Sequence, residues 1–119
     1  MEIENKTVIV TGGARGIGKH LAAEFVRHNA KVAIADVLET EIHHTAKLLG
    51  ALGIICDVTN ETQIQNLVEK VETQLGSVDY FVSNAGISIG EENHSASASN
   101  ETWYKCWNVH VMAHVYAAR

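Results

Sequence analysis

Cysteine, basic charge and long apolar runs are all scarce in this sequence, and each shortage excludes a class of function. Two cysteines, Cys56 and Cys106, are too few and too far apart for a disulfide framework. They read as buried, reduced thiols in a predicted strand and a predicted helix. Nine Lys and Arg stand against fourteen Asp and Glu, for a formal net charge of -5, and the cations are scattered along the chain. That balance argues against a phosphate backbone as ligand, so nucleic acid is not an expected partner. No apolar run approaches the roughly 20 residues that span a bilayer. Residues 1 to 6 carry no basic segment followed by an apolar one, so no secretion signal is read and the expected location is cytoplasmic.

What remains is ordinary globular composition, with 46% hydrophobic and 19% charged residues in 119 positions. A chain of that length makes one domain and buries about two-thirds of its unfolded surface.

The hydrophobic pattern alternates between two periods. Thr7 to Thr11 is a β-branched run that enters Gly12-Gly13, and Gly16 to His28 follows with Ile17, Leu21, Phe25 and Val26 at helical spacing. Lys31 to Asp36 is a second strand. Glu39 to Leu49 is a second helix, closed by Gly50. Leu52 to Cys56 is a third strand, Glu61 to Leu75 a third helix stopped by Gly76, and Asp79 to Ser83 a fourth strand. A loop is expected from Asn84 to Asn100, with Gly86, Gly90 and the Ser-Ala alternation of 95 to 99. Asn100 is the expected N-cap of a last helix running to Arg119.

Strands that are apolar throughout and alternate with helices predict a parallel sheet covered on both faces, an α/β doubly wound fold. Ligands of such sheets sit at the carboxyl ends of the strands, where Gly12, Asp36, Asp57 and Asn84 all fall. Asp57 has a second reading, as a cap, with Thr59, for the helix that follows.

The segment Thr11-Gly-Gly-Ala-Arg-Gly-Ile-Gly18 opens a helix and suits a phosphate, because helix N-termini present free amides. A phosphate loop of the form G-x-x-x-x-G-K-[ST] fits from Gly13 to Lys19. It then fails at His20, where a hydroxyl should ligate Mg²⁺. The G-x-G-x-x-G pattern fails at Leu21. T-G-x-x-x-G-x-G fits in full, with Gly12, Gly16 and Gly18.

Taken with Asp36 ending the second strand, Cys-Asp-Val-Thr at 56 to 59 and Ser-Asn-Ala-Gly at 83 to 86, this segment resembles the short-chain dehydrogenase/reductase family. The resemblance is to its N-terminal, NAD-binding half and covers essentially the whole chain. It implies a Rossmann-type sheet, with these four strands and four helices as part of a longer domain. It also implies that Gly12, Arg15, Gly16, Ile17 and Gly18 surround a pyrophosphate and that Asp36 faces the adenosine ribose. Asp57 and Val58 then edge the adenine, and Asn84, Ala85 and Gly86 lie beside the nicotinamide ribose. A carboxylate at Asp36 accepts bonds from ribose hydroxyls and repels a 2′-phosphate, which favours NAD over NADP. Arg15 pulls the other way, since it could pair a 2′-phosphate.

The reaction the resemblance implies is hydride transfer between an alcohol and a carbonyl, with a Tyr as acid/base and a Lys four residues later. None of Tyr80, Tyr104 and Tyr116 has such a Lys, so this chain alone is expected to be inactive, its substrate a matter for a longer parent protein. The family also sets an Asn seven residues after a Trp in the last helix. Trp103 plus seven is His110, flanked by Val109 and Val111, whereas Asn108 is the chemically expected residue two places away. Either could take that role.

His110 and His114 have i, i+4 spacing, but no third ligand accompanies them and no metal site is expected. They read as packing or partial solvation on a core-facing helix, and His43-His44 as surface. Trp103, Tyr104 and Trp107 read as core and interface. Two other functions remain open, a non-catalytic nucleotide-binding or interaction module and a phosphate-loop binder. An unpaired edge at the last strand would suit pairing with a second copy as a homo-oligomer.

Overall fold

A computed structural model describes residues 1 to 89 and 97 to 119. Gly90 and the first residues of the Ser-Ala alternation lie outside the described residues. The element order is β1 (Thr7–Thr11), α1 (Gly16–Arg27), β2 (Lys31–Asp36), α2 (Glu39–Leu49), β3 (Leu52–Ile55), α3 (Glu61–Leu75), β4 (Tyr80–Val82) and α4 (Asn100–Trp107). A π-helical turn, Asn108–Met112, then leads into α5 (Ala113–Ala118).

The strands form one four-stranded parallel sheet in the order β3-β2-β1-β4. The doubly wound α/β architecture is therefore as the alternating pattern predicts. Side chains along each strand divide between two cores because strand periodicity is two. Val8, Val10, Val32 and Ile34 pack with Ala22, Ile42 and Ala46 under α1 and α2. Ile9, Ala33, Ala35 and Ile54 face the other way, against Ile64, Leu67 and Val71 of α3 and Ala113 of α5. All five residues of β1 are buried, the expected state of a central strand with helices on both faces. Each fully buried aliphatic side chain here contributes about 1.5–3 kcal/mol.

Three expectations are corrected. The N-cap of α4 is Ser99, not Asn100: its side chain accepts from the Thr102 amide at 3.2 Å. Both residue types cap well, and the backbone turns helical one residue later than Ser99. The last helix is not a single α-helix, since the π turn inserts a wider loop of backbone at 108–112. Finally, Trp103, Tyr104 and Trp107 are 52%, 67% and 57% exposed, so the core half of their expected role fails. Helix α4 buries none of its residues, and contact with the sheet layer begins only at Val109 and Ala113. Cys56 is buried and Cys106 half-buried, both as free thiols. Among the described residues no helix is long and apolar enough to cross a membrane.

Candidate functional site

The chain crosses over from β1 to β2 and β3 in one direction, then returns past β1 to β4. A crevice opens where the connections diverge, at the carboxyl ends of the strands. It is a cleft of about 420 Å³. Its wall is built from the strand-to-helix connections. Gly12, Arg15, Gly16, Ile17 and Gly18 come from the first, Asp36 with Val37 and Leu38 from the second, and Cys56, Asp57 and Val58 from the third. Asn84, Ala85, Gly86 and Ile87 follow β4, and Val109 closes the wall from the π turn. Every cleft residue named from the sequence thus lies around this one cavity; Val37, Leu38, Cys56, Ile87 and Val109 join them.

The first connection is shaped by how closely α1 approaches β1. A Cβ at Gly18 would lie 2.1 Å from the Gly12 carbonyl oxygen and 2.7 Å from the Asn84 amide nitrogen. Only a glycine lets the helix begin that near the strand end. Gly16 has φ +60 and nothing within 4 Å of a built Cβ, so its demand is conformational. Arg15 occupies the N-cap in extended conformation, and neither a capping side chain nor an acidic residue serves the first turn. The leading amides of α1 are left to an anion in the cleft, and the helix dipole favours one there. His20, where a phosphate loop has its hydroxyl, instead bonds through Nδ1 to the Gly16 carbonyl at 2.9 Å.

Asp36 is half-buried and already holds the loops on either side. Its Oδ2 accepts from the Ala14 amide and its Oδ1 from the Leu38 amide, both at 3.2 Å. An ionised carboxylate has about four acceptor positions, so these two bonds leave capacity on both oxygens. Asp57 does not cap α3. Its Oδ1 accepts from the amide and hydroxyl of Thr59 at 2.9 and 2.7 Å, a local turn, while Asn60 caps the helix by accepting from the Gln63 amide at 3.2 Å. The carboxylate lies three residues too early to reach the first free amides. Burial pushes the Cys56 thiol up to about 11, and the adjacent Asp57 carboxylate adds to the effect. Cys56 is a wall residue that stays protonated at neutral pH, not a nucleophile.

Behind the cleft, Thr11 joins the central strand β1 to the edge strand β4. Its hydroxyl accepts from the amides of Asn84 and Ala85 at 3.0 and 3.2 Å and donates to the Val82 carbonyl at 3.4 Å. Asn84 returns a bond from Nδ2 to the Thr11 carbonyl at 3.1 Å. Sequence reasoning missed this role for Thr11, and missed Thr45, whose buried hydroxyl donates to the Ala14 carbonyl at 2.7 Å. A hydroxyl on the apolar stripe of α2, between Ile42 and Ala46, was the available signal for Thr45.

His110 stands next to this segment. Its Nε2 accepts from the Ile87 amide at 3.0 Å and lies 3.5 Å from a Cβ built on Gly86. Asn108 is exposed. One turn on, His114 Nδ1 meets the Ser83 hydroxyl at 2.6 Å. His110 and His114 thus bond to the strand-end segment individually, and no group of three ligating side chains assembles among the described residues. His43 and His44 are exposed.

Comparison with known proteins agrees with this geometry. The family model described as short chain dehydrogenase matches residues 6–119. The chain belongs to the short-chain dehydrogenase family. Among its dehydrogenase relatives, "Short chain aldehyde dehydrogenase 1" of Euphorbia lathyris is 34% identical over 121 aligned residues, 98% of this chain and 42% of the relative. "Secoisolariciresinol dehydrogenase" of Forsythia intermedia is 44% identical over 89 residues, 72% of this chain and 32% of the relative. The solved 3-ketoacyl-(acyl-carrier-protein) reductase of Brucella melitensis, complexed with NADH, superposes with a TM-score of 0.93 at 28% identity. That match covers 98% of this chain and 49% of the reductase. The chain therefore spans less than half the length of these dehydrogenases.

Proposed function

We propose that this chain is the NAD-binding portion of an oxidoreductase that moves hydride between an alcohol and a carbonyl. The observation that carries the proposal is the uncapped start of α1 opening into a cleft with Asp36 at one side and Asn84 to Gly86 at the other. In this reading the amides at Gly16 to Gly18 bind the pyrophosphate, and the helix dipole complements its charge. Asp36 accepts the hydroxyls of the adenosine ribose with the capacity its two backbone bonds leave free. Val58 and Asp57 edge the adenine, and Asn84, Ala85 and Gly86 hold the nicotinamide end. When bound, the nicotinamide supplies the acceptor for hydride. No Tyr in these 119 residues has a Lys four places later, so the proposal for this chain concerns cofactor binding, and its substrate belongs to the longer proteins it matches.

NAD is favoured over NADP because a 2′-phosphate would meet the Asp36 carboxylate, and the residues after it, Val37 and Leu38, bring no cation. Arg15 is exposed at the rim of the first connection and is the one cation lining the cleft among the described residues. A cytoplasmic location accompanies this reading. Calorimetric titration with NAD, NADP and ATP tests it. NAD is expected to bind more tightly than NADP, with no Mg²⁺-dependent ATP binding, and Asp36→Ala is expected to erase the preference. NAD affinity unchanged in Asp36→Ala would refute the assignment.

A further inference from the structure

On the NAD-binding reading, we infer that His110 is a positioning residue that ties cofactor affinity to the protonation of its own imidazole. The bond from the Ile87 amide to Nε2 is the starting point. A backbone N–H only donates, so the imidazole nitrogen that receives it must be unprotonated. Imidazoles as a class gain their proton between roughly pH 5 and 8. On protonation Nε2 becomes a donor, and two N–H groups then face each other at what was a 3.0 Å bond. The exposed ring or the backbone at Gly86 and Ile87 must then move, and in either case the segment that lines the cleft loses this anchor.

The other histidines with partners near the cleft respond differently. His20 meets a carbonyl, which accepts from Nδ1 whether or not the ring is charged, and its added charge near Gly16 would attract a phosphate more strongly. His114 meets a serine hydroxyl, which rotates to donate or accept as the ring requires. Of these three bonds, the one at His110 alone has a donor-only partner. Low pH therefore weakens binding through His110 and strengthens it through His20, so the sign of the effect identifies its source.

Among the described residues, few other ionisable groups stand near His110 in the sequence. Ser83 to Ile87, the segment packed against it, carries none. Along its own helix the nearest are Lys105, Cys106 and His114, and Asp57 lines the same cleft. Helix α3 packs on α5 and pairs Glu61 with Arg119 at 3.0 Å.

Calorimetric titration of the 119-residue chain with NADH at pH 8 and pH 5.5 tests the inference, together with the Ile87 amide shift by NMR. Affinity is expected to fall about fivefold at the lower pH, the scale of one lost hydrogen bond. In His110→Asn, whose amide oxygen accepts without titrating, the ratio between the two pH values is expected to be near one. His20→Gln is expected to keep the fall. The Ile87 amide shift should follow the His110 ring through its titration. A flat or rising affinity in the unsubstituted chain, or a fall that persists in His110→Asn, overturns the inference. Absence of NADH binding at both pH values would refute the cofactor reading and the coupling with it. An Ile87 amide that still tracks His110 would then show that the proton-sensitive contact exists without that ligand.

Discussion

Replacing Gly18 by alanine probes the tightest contact in the fold. The new Cβ would sit 2.1 Å from the Gly12 carbonyl oxygen, whereas real Cβ atoms essentially never come within 3.0 Å of a neighbour. The obstacle is backbone, so helix α1 must lift by about an ångström rather than a side chain swing aside. Gly12 has little room to yield, since its own position is 2.9 Å, by a built Cβ, from the Ala85 backbone. Overpacking of this kind costs about 1–3 kcal/mol. The same shift disturbs the Asn84 amide, 2.7 Å from the intruding atom and bonded to Thr11, which adds about 1–2 kcal/mol. The expected destabilisation is about 2–5 kcal/mol. With a urea slope of about 2 kcal/mol/M, the midpoint should fall by about 1–2.5 M. Gly16→Ala is the control: its position is open and its φ is +60, so only the left-handed conformation is penalised, by about 1–2 kcal/mol. Urea titrations of the two variants side by side decide the matter. If Gly18→Ala proved no more harmful than Gly16→Ala, the close approach would not be what the glycine serves.

Other outcomes follow from the same contacts. Thr11→Val removes the acceptor for two amides and is expected to cost about 2–3 kcal/mol, while Thr11→Ser keeps the hydroxyl and most of the stability; chemical denaturation measures both. At pH 7.5 iodoacetamide should modify half-buried Cys106 well before Cys56, as peptide mass mapping would show, and Cys56 should react only on unfolding. Cys56 also makes stability pH-dependent. Its folded value of about 11 lies above the ordinary 9.0, so its contribution is complete below pH 9 and is lost as pH rises from there toward 11. Comparison of denaturation midpoints for the chain and Cys56→Ala across that range isolates the effect.

The parallel, doubly wound sheet and the cleft were legible because they follow from alternation of two periods and from glycines at strand ends. Those signals place Gly12, Asp36, Asp57 and Asn84 without any knowledge of contacts. The choice between adjacent caps was not legible: Ser99 and Asn100 both suit the position, and half a turn of backbone decides it. Asp57 was ambiguous for a similar reason, since a carboxylate ahead of a helix serves a turn or a cap according to where the helix begins, and here its cap lies three residues later at Asn60. The aromatic side chains of α4 show the limit of apolar pattern. Helical spacing marks a face but not what covers it, and Trp103, Tyr104 and Trp107 face outward. Nothing in Asn108 to Met112 announces a π turn.

The hydroxyl of Thr11 fastens the end of β1 at three points, to the last residue of β4 and to two amides just after it. The seam between those strands is where the chain reverses its winding, so the floor of the crevice is fixed by main chain on both banks. Its width then does not depend on which side chains line the rim. Arg15, exposed at the rim, is free to vary with the ligand while the frame beneath it stays the same, which separates the part of this fold that holds from the part that chooses.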